Sequence, residues 1–114
     1  MRITGKYGNR RVQLDGYTFD SQAEANRYVE LKLLVRGGVI SSLRVHPPYI
    51  IQSAFTHKYA GKVREIRYVA DFEYVEKGVQ VVEDVKGVRT PAYQLKRKLM
   101  LAHFAEMDFR ELKV

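Results

Sequence analysis

Cysteine is absent from this 114-residue chain, which excludes a disulfide framework, a thiolate zinc site and a cysteine nucleophile. No apolar run approaches the ~18 residues of a membrane span, and the N-terminus carries no apolar signal-peptide core. The expectation is a cytoplasmic protein with no membrane partner. Proline is scarce, at three residues. No Pro/Ser-rich linker, internal repeat or low-complexity tract divides the chain, which predicts one domain over residues 1–114. No serine stands in a nucleophile-elbow pattern, and no glycine cluster forms a phosphate loop or dinucleotide fingerprint, so no small-molecule cofactor is indicated. His46, His57 and His103 are isolated from one another without helical metal-ligand spacing, and His46, beside two prolines, reads as structural.

What is present is an ordinary globular composition with a surplus of positive charge. Hydrophobic residues make up 46% and charged residues 29%, enough for one core, although at this size oligomerisation is a reasonable expectation. Twenty Lys and Arg against thirteen acids give a net charge of +7 and a pI near 9.7. Such a surplus points to a polyanionic partner, nucleic acid first and an anionic membrane second. Its distribution is uneven. Arg2, Lys6, Arg10 and Arg11 stand in an acid-free N-terminal arm, and Lys86, Arg89, Lys96, Arg97 and Lys98 form a second acid-free stretch.

Local signals predict the order hairpin, helix, three strands, helix, strand. Asp15-Gly16 marks a hairpin turn within 10–19. Ser21-Gln22-Ala23-Glu24 has the form of a capping box opening a helix to about Arg36, with Tyr28, Leu31, Leu34 and Val35 as its apolar stripe and Gly37-Gly38 as its stop. Residues 39–55 read as extended structure broken at His46-Pro47-Pro48, and 56–62 as a polar loop. Strands over 63–75 and 79–85 follow, joined through Lys77-Gly78. Thr90-Pro91 opens a helix to about Glu106, and 109–112 reads as a last edge strand. The fold class is therefore α/β, a mixed sheet flanked by helices.

The paired strands carry the candidate chemistry. With Lys77-Gly78 as a two-residue turn, Glu76 pairs with Val79, and counting back sets Asp71 directly opposite Asp84. Alternation puts Tyr68, Ala70, Phe72 and Tyr74 with Val79, Val81 and Val85 on an apolar face. Asp71, Glu73, Asp84 and Lys86 then fall on a charged one. Opposed carboxylates with Cβ atoms about 4.5–5.5 Å apart repel, and a hard divalent cation such as Mg²⁺ or Mn²⁺ would relieve that repulsion. A solvent-facing polar strand with Lys86 neutralising one aspartate accounts for the same residues, and a three-residue turn would set Glu83 opposite Asp71 instead. Glu24 lies in line with the helix stripe but, on the residues alone, reads first as the cap. Gln94 and Lys98, at i and i+4, share a helix face beside Arg89 and Lys96, where they would hold phosphates or simply be solvated.

Tyr68-Val69-Ala70-Asp71-Phe72 followed by Val81-Val82-Glu83-Asp84-Val85-Lys86-Gly87 resembles the PD-(D/E)XK nuclease signature. With Lys6-Tyr7-Gly8-Asn9-Arg10, Phe19-Asp20-Ser21-Gln22-Ala23-Glu24-Ala25 and Tyr93-Gln94-Leu95-Lys96-Arg97-Lys98 the resemblance extends over nearly the whole chain. The chain is similar to the small phage endonucleases that include Holliday-junction resolvases. One departure is that Ala70, not proline, precedes Asp71. The resemblance implies a restriction-endonuclease-like core and a Mg²⁺-dependent endonuclease, with Mn²⁺ as a substitute, that cuts branched DNA as a homodimer. It implies Glu24, Asp71, Asp84 and Lys86 as catalytic residues, with Glu24, Asp71, Asp84 and the Val85 carbonyl as metal ligands. Lys6, Arg10, Arg11, Arg89, Gln94, Lys96 and Lys98 would contact DNA, and the arm and hairpin over 1–20 would serve dimerisation. A nuclease of linear duplex DNA and a non-catalytic DNA-binding module are the rival expectations.

Overall fold

The computed structural model describes residues 10–87 and 89–113, so Arg2 and Lys6 of the basic arm lie outside the described residues. Val12–Leu14 (β1) and Tyr17–Phe19 (β2) form the expected hairpin, with Val12 opposite Phe19 and Leu14 opposite Tyr17. Asp15 and Gly16 both take positive φ, 54° and 81°, as a type I′ turn requires. The Asp15 carboxylate accepts hydrogen bonds from the Tyr28 hydroxyl at 2.8 Å and the Lys32 ammonium at 2.5 Å, tying the hairpin to the first helix. That helix, α1 (Gln22–Arg36), starts at Ser21, whose hydroxyl accepts the Glu24 N–H. Its buried stripe is Glu24, Ala25, Tyr28 and Leu31. Leu34 packs against the core, whereas Val35, also expected inward, is exposed.

After α1 come β3 (Ser41–Val45), β4 (Pro48–Gln52), β5 (Phe55–His57), β6 (Gly61–Val63), β7 (Ile66–Val69), β8 (Phe72–Glu76) and β9 (Val79–Lys86). Helix α2 (Pro91–His103) and strand β10 (Asp108–Lys113) complete the described chain. Four strands make one mixed sheet in the order β10-β9-β8-β3, with β10 parallel to β9 and the other neighbours antiparallel. The fold is mixed α/β, as expected. No helix of the described residues is long and apolar enough to cross a membrane.

The Lys77-Gly78 turn sets the register of β8 on β9 as expected, with Glu76 opposite Val79 and Phe72 opposite Glu83. Three other expectations change. The polar loop at 56–62 is instead the β5–β6 hairpin, whose turn is stabilised from within. There the His57 Nδ1 accepts the N–H groups of Tyr59 and Ala60 at 3.1 and 3.0 Å. The strand expected over 63–75 is broken at Ala70-Asp71, where the backbone changes partners. Val63 ends β6 and pairs with β5, Ile66–Val69 pairs with β4, and from Phe72 the chain pairs with β3 and β9. Helix α2 stops at His103 rather than near Glu106, closed by the Phe104 N–H on the Met100 carbonyl at 2.9 Å.

The break resets the alternation. Phe72, Tyr74, Val81 and Val85 pack under α1 with Phe19, Ala25, Tyr28, Leu31 and Ile40. Tyr68 and Ala70, expected beside them, belong to a second cluster with Val82, Tyr49, Ile51 and Met100 of α2. The face expected to carry the charged cluster is therefore also roofed, and the sheet is buried on both sides. A doubly covered strand needs apolar residues in both phases, which is what Val81-Val82 supplies.

Glu83 points into the α1 face with no exposed surface. Arg27 grips it in a bidentate pair, Nε to Oε1 at 2.7 Å and Nη2 to Oε2 at 2.9 Å, and the Tyr74 hydroxyl donates at 2.6 Å. Replacing Arg27 with methionine would leave this carboxylate buried and unpaired. The expected loss is about 3 kcal/mol, the lower end of the range for such pairs because Arg27 is partly exposed. Urea unfolding of the Arg27→Met variant checks this; a loss under ~1 kcal/mol would mean the pair is not buried as described.

Candidate metal centre

The site is built where three elements meet: the first turn of α1, the corner between β3 and β4, and the break between β7 and β8. Ser21, by capping α1, sets Glu24 at the third helical position, from which its side chain turns towards the sheet and is only 8% exposed. The cap and the inward carboxylate thus coexist, the cap being made by Ser21 on the Glu24 backbone. Asp71 occupies the β7–β8 break, where its carbonyl accepts the His46 N–H at 2.9 Å. A carboxylate oxygen of Glu24, a ring nitrogen of His46 and a carboxylate oxygen of Asp71 all lie within 4.8 Å of one another.

Asp84 is fully buried on β9 and interlocks with Asp71. Its Oδ1 accepts the Asp71 backbone N–H at 3.0 Å, while Asp71 Oδ2 accepts the Val85 N–H at 2.7 Å. The second Asp84 oxygen accepts the Tyr68 hydroxyl. Lys86 projects from the end of β9, its ammonium 4.6 Å from the centre of the Tyr93 ring. Glu24, Asp71, Asp84 and Lys86 are therefore neighbours, and Val85 meets the site through its backbone.

Burial dominates the electrostatics of these acids. Desolvation first, then the charges of Asp71 and Asp20, push the Glu24 carboxyl up to about 7, against the Asp20 backbone and Lys86. Asp84 is raised to about 6 by desolvation, opposed mainly by Lys86 and the Asp71 N–H. Asp71 is raised by burial as well, opposed by the Val85 N–H, Lys86 and His46. Lys86 thus acts on all three carboxyls, yet desolvation outweighs it. Such a pocket favours protons or a cation, because either removes the cost of buried negative charge.

The expected phosphate contacts are less concerted. Arg10, Arg11, Arg89, Gln94 and Lys98 are exposed. Arg89 also pairs with Glu111, Nε to Oε2 at 3.3 Å, and the Gln94 amide donates to the Arg89 carbonyl at 3.2 Å. Lys96 departs from this group: it lines a groove with Ile66, Arg67 and Leu99 between α2 and β7. Two residues that sequence reasoning missed are His46 and Tyr68. Neither carries a spacing signal, since each reaches the site through pairings distant in the chain.

The raised acids predict a definite pH response. Between the ordinary value of 4.5 and about 7, folded protein retains a Glu24 proton that unfolded chain has released. More protons on the folded state mean that stability falls as pH rises. This contribution is fully present below about 4.5 and lost as pH passes about 7. In chelator, Glu24→Gln is therefore expected to flatten the decline and to unfold at higher temperature than the parent above neutrality. Thermal unfolding from pH 4 to 8 tests this, and parallel curves for the two proteins would contradict it.

A search of curated proteins finds no match. The family model described as "Protein of unknown function (DUF1064)" matches residues 4–113. That span takes in both helices, the mixed sheet and every residue of the cluster just described. The chain thus belongs to the DUF1064 family.

Proposed function

We propose that this chain is a metal-dependent endonuclease with a restriction-endonuclease-like core that cuts branched DNA, as the PD-(D/E)XK resemblance implies. The observation that carries the reading is the convergence of Glu24, Asp71, Asp84 and Lys86. Glu24 lies on a helix remote in sequence, yet its carboxylate comes within 4.8 Å of Asp71, which is itself hydrogen-bonded to Asp84. A binding module gains little from burying three acids next to the phosphates it must attract. The donor set also fits a divalent cation, since carboxylates raised by desolvation lose that penalty when a cation neutralises them.

Glu24, Asp71 and Asp84 would hold Mg²⁺, or Mn²⁺ in its place. The Val85 carbonyl joins them, because a strand residue directs its N–H and C=O to the same edge and the Val85 N–H already meets Asp71. A bound cation would supply an acidified water and charge neutralisation at the scissile phosphate. Lys86, steadied by the Tyr93 ring, would orient the attacking water and stabilise the extra charge on the phosphate oxygens. Asp71, fixed through its backbone and one carboxylate oxygen, gives the site rigidity. The exposed Arg10, Arg11, Arg89, Gln94 and Lys98 would grip the DNA backbone with strong salt dependence, joined by Lys96 and by Lys6 of the arm. A homodimer assembled through the arm and hairpin over 1–20 would present two sites to paired strands of a junction.

The test uses a labelled four-way junction and a linear duplex of the same arm sequence, with Mg²⁺ or chelator. Paired nicks confined to the junction are expected. They should vanish in chelator and fall by about 10²–10³-fold in Lys86→Ala, the range for losing one transition-state donor. Asp84→Ala should be at least as impaired. Equal cutting of the linear duplex would keep the nuclease and discard junction selectivity, whereas tight binding without cleavage in Mg²⁺ or Mn²⁺ would contradict an enzyme.

A further inference from the structure

We infer that His46 is a further protein ligand to the cation held by Glu24 and Asp71, and that its nitrogen makes the site favour a divalent first-row transition ion such as Mn²⁺ over Mg²⁺. The inference rests on the metal-dependent reading above and adds a residue and a selectivity to it. Two ligands of one small cation stand at most about 4.4 Å apart, twice a typical bond length. The three donor atoms, all within 4.8 Å, need only a slight closure to meet that limit.

The backbone holds His46 at this point from both sides. Val45 is opposite Phe72 in the β3–β8 pairing, and the His46 N–H continues that ladder onto the Asp71 carbonyl. One residue later the Pro47 carbonyl accepts the Ala70 N–H at 3.1 Å. Between these anchors His46 takes φ of +54°, a left-handed conformation unfavourable for a residue with a Cβ. Histidine, with asparagine and aspartate, is among the non-glycine residues that adopt this region most readily. Phe19, fully buried, steadies the imidazole with ring centres 5.6 Å apart.

Selectivity follows from donor chemistry. Mg²⁺ prefers all-oxygen surroundings and keeps its waters. Imidazole suits transition ions, and Mn²⁺ accepts carboxylate readily while ranking above Mg²⁺ for nitrogen. An imidazole added to the carboxylates therefore shifts preference away from Mg²⁺ in a way that carboxylates alone would not.

The experiment uses the full chain without DNA, with Mn²⁺ as probe. Binding is read from the loss of the free Mn²⁺ electron-paramagnetic signal, and Mg²⁺ binding from competition. Pulsed measurements on the bound ion detect nitrogen coupling from an imidazole. The expected result is nitrogen coupling in the parent, kept in a His57→Gln/His103→Gln variant and lost in His46→Gln. His46→Gln should weaken Mn²⁺ binding by at least about tenfold, the least that loss of even an outer-shell partner costs, with Mg²⁺ binding little changed. Bound Mn²⁺ without nitrogen coupling, equal Mn²⁺ affinity in His46→Gln, or no Mn²⁺ binding would each overturn the inference. Should His46→Gln fail to fold, coupling in the parent and in the His57/His103 variant still decides it. Junction cleavage is scored separately. Cleavage without nitrogen coupling sinks the His46 assignment alone, and coupling in a protein that cuts no DNA sinks the nuclease alone.

Discussion

The crossed hydrogen bonds between Asp71 and β9 are the constraint on which the site depends. Asp71 gives its backbone N–H to Asp84 and takes the Val85 N–H on its own carboxylate. The exchange sits where the chain leaves the β4–β7 pair and enters the four-stranded sheet, so it stands in for ladder bonds that the break forfeits. A buried backbone amide left unpaired there would carry a desolvation penalty. The two aspartates thus have a structural duty at the break, and on the proposed reading they have a chemical one as well.

Burial on both faces of β9 follows from the same arrangement. The α1 cluster covers one side, and the α2 cluster with β4 and β7 covers the other. Between them lie four acidic side chains that are buried or nearly so: Glu73, Glu83, Asp84 and Asp71. Glu83 is matched by Arg27, and Glu73 accepts the Tyr49 hydroxyl and pairs with Arg44. Among the described residues Asp71 and Asp84 have no ion pair; they are met by amides, a tyrosine hydroxyl and the more distant charges of Lys86, His46 and Arg97, and Glu24 adds a third carboxylate to them. The protein neutralises its other buried acids with arginine and leaves this group raised in pKa. That contrast between structural ion pairs and a group of raised acids is what favours the proposed cation site.

Much of this was legible because local chemistry sets it. Lys77-Gly78 permits one hairpin geometry, φ 51° and 77°, and that turn decides that Asp84 rather than Glu83 faces Asp71. The two caps, Ser21 and Thr90, locate both helix starts. What could not be read depends on pairings without a short connection. His46 reaches Asp71 because β3 runs antiparallel to β8, with β4 to β7 intervening in the chain, so no turn length specifies the register. Tyr68 fell in the wrong phase because alternation cannot show that the backbone changes partners at Ala70-Asp71. The β5–β6 hairpin has no Asn-Gly or Asp-Gly pair, and its turn rests on Gly61 at φ 79° and on the His57 side chain, which does work usually done by Asn or Asp.

The central claim is that Glu24, Asp71 and their neighbours form a cation site, and anomalous diffraction from crystals grown with Mn²⁺ tests it most directly. A single strong peak bonded to the Glu24, Asp71 and Asp84 carboxylates, beside Lys86, is the predicted result. Mn²⁺ found only at surface carboxylates, with the Glu24–Asp71 pair bridged by water or a proton, would contradict the account.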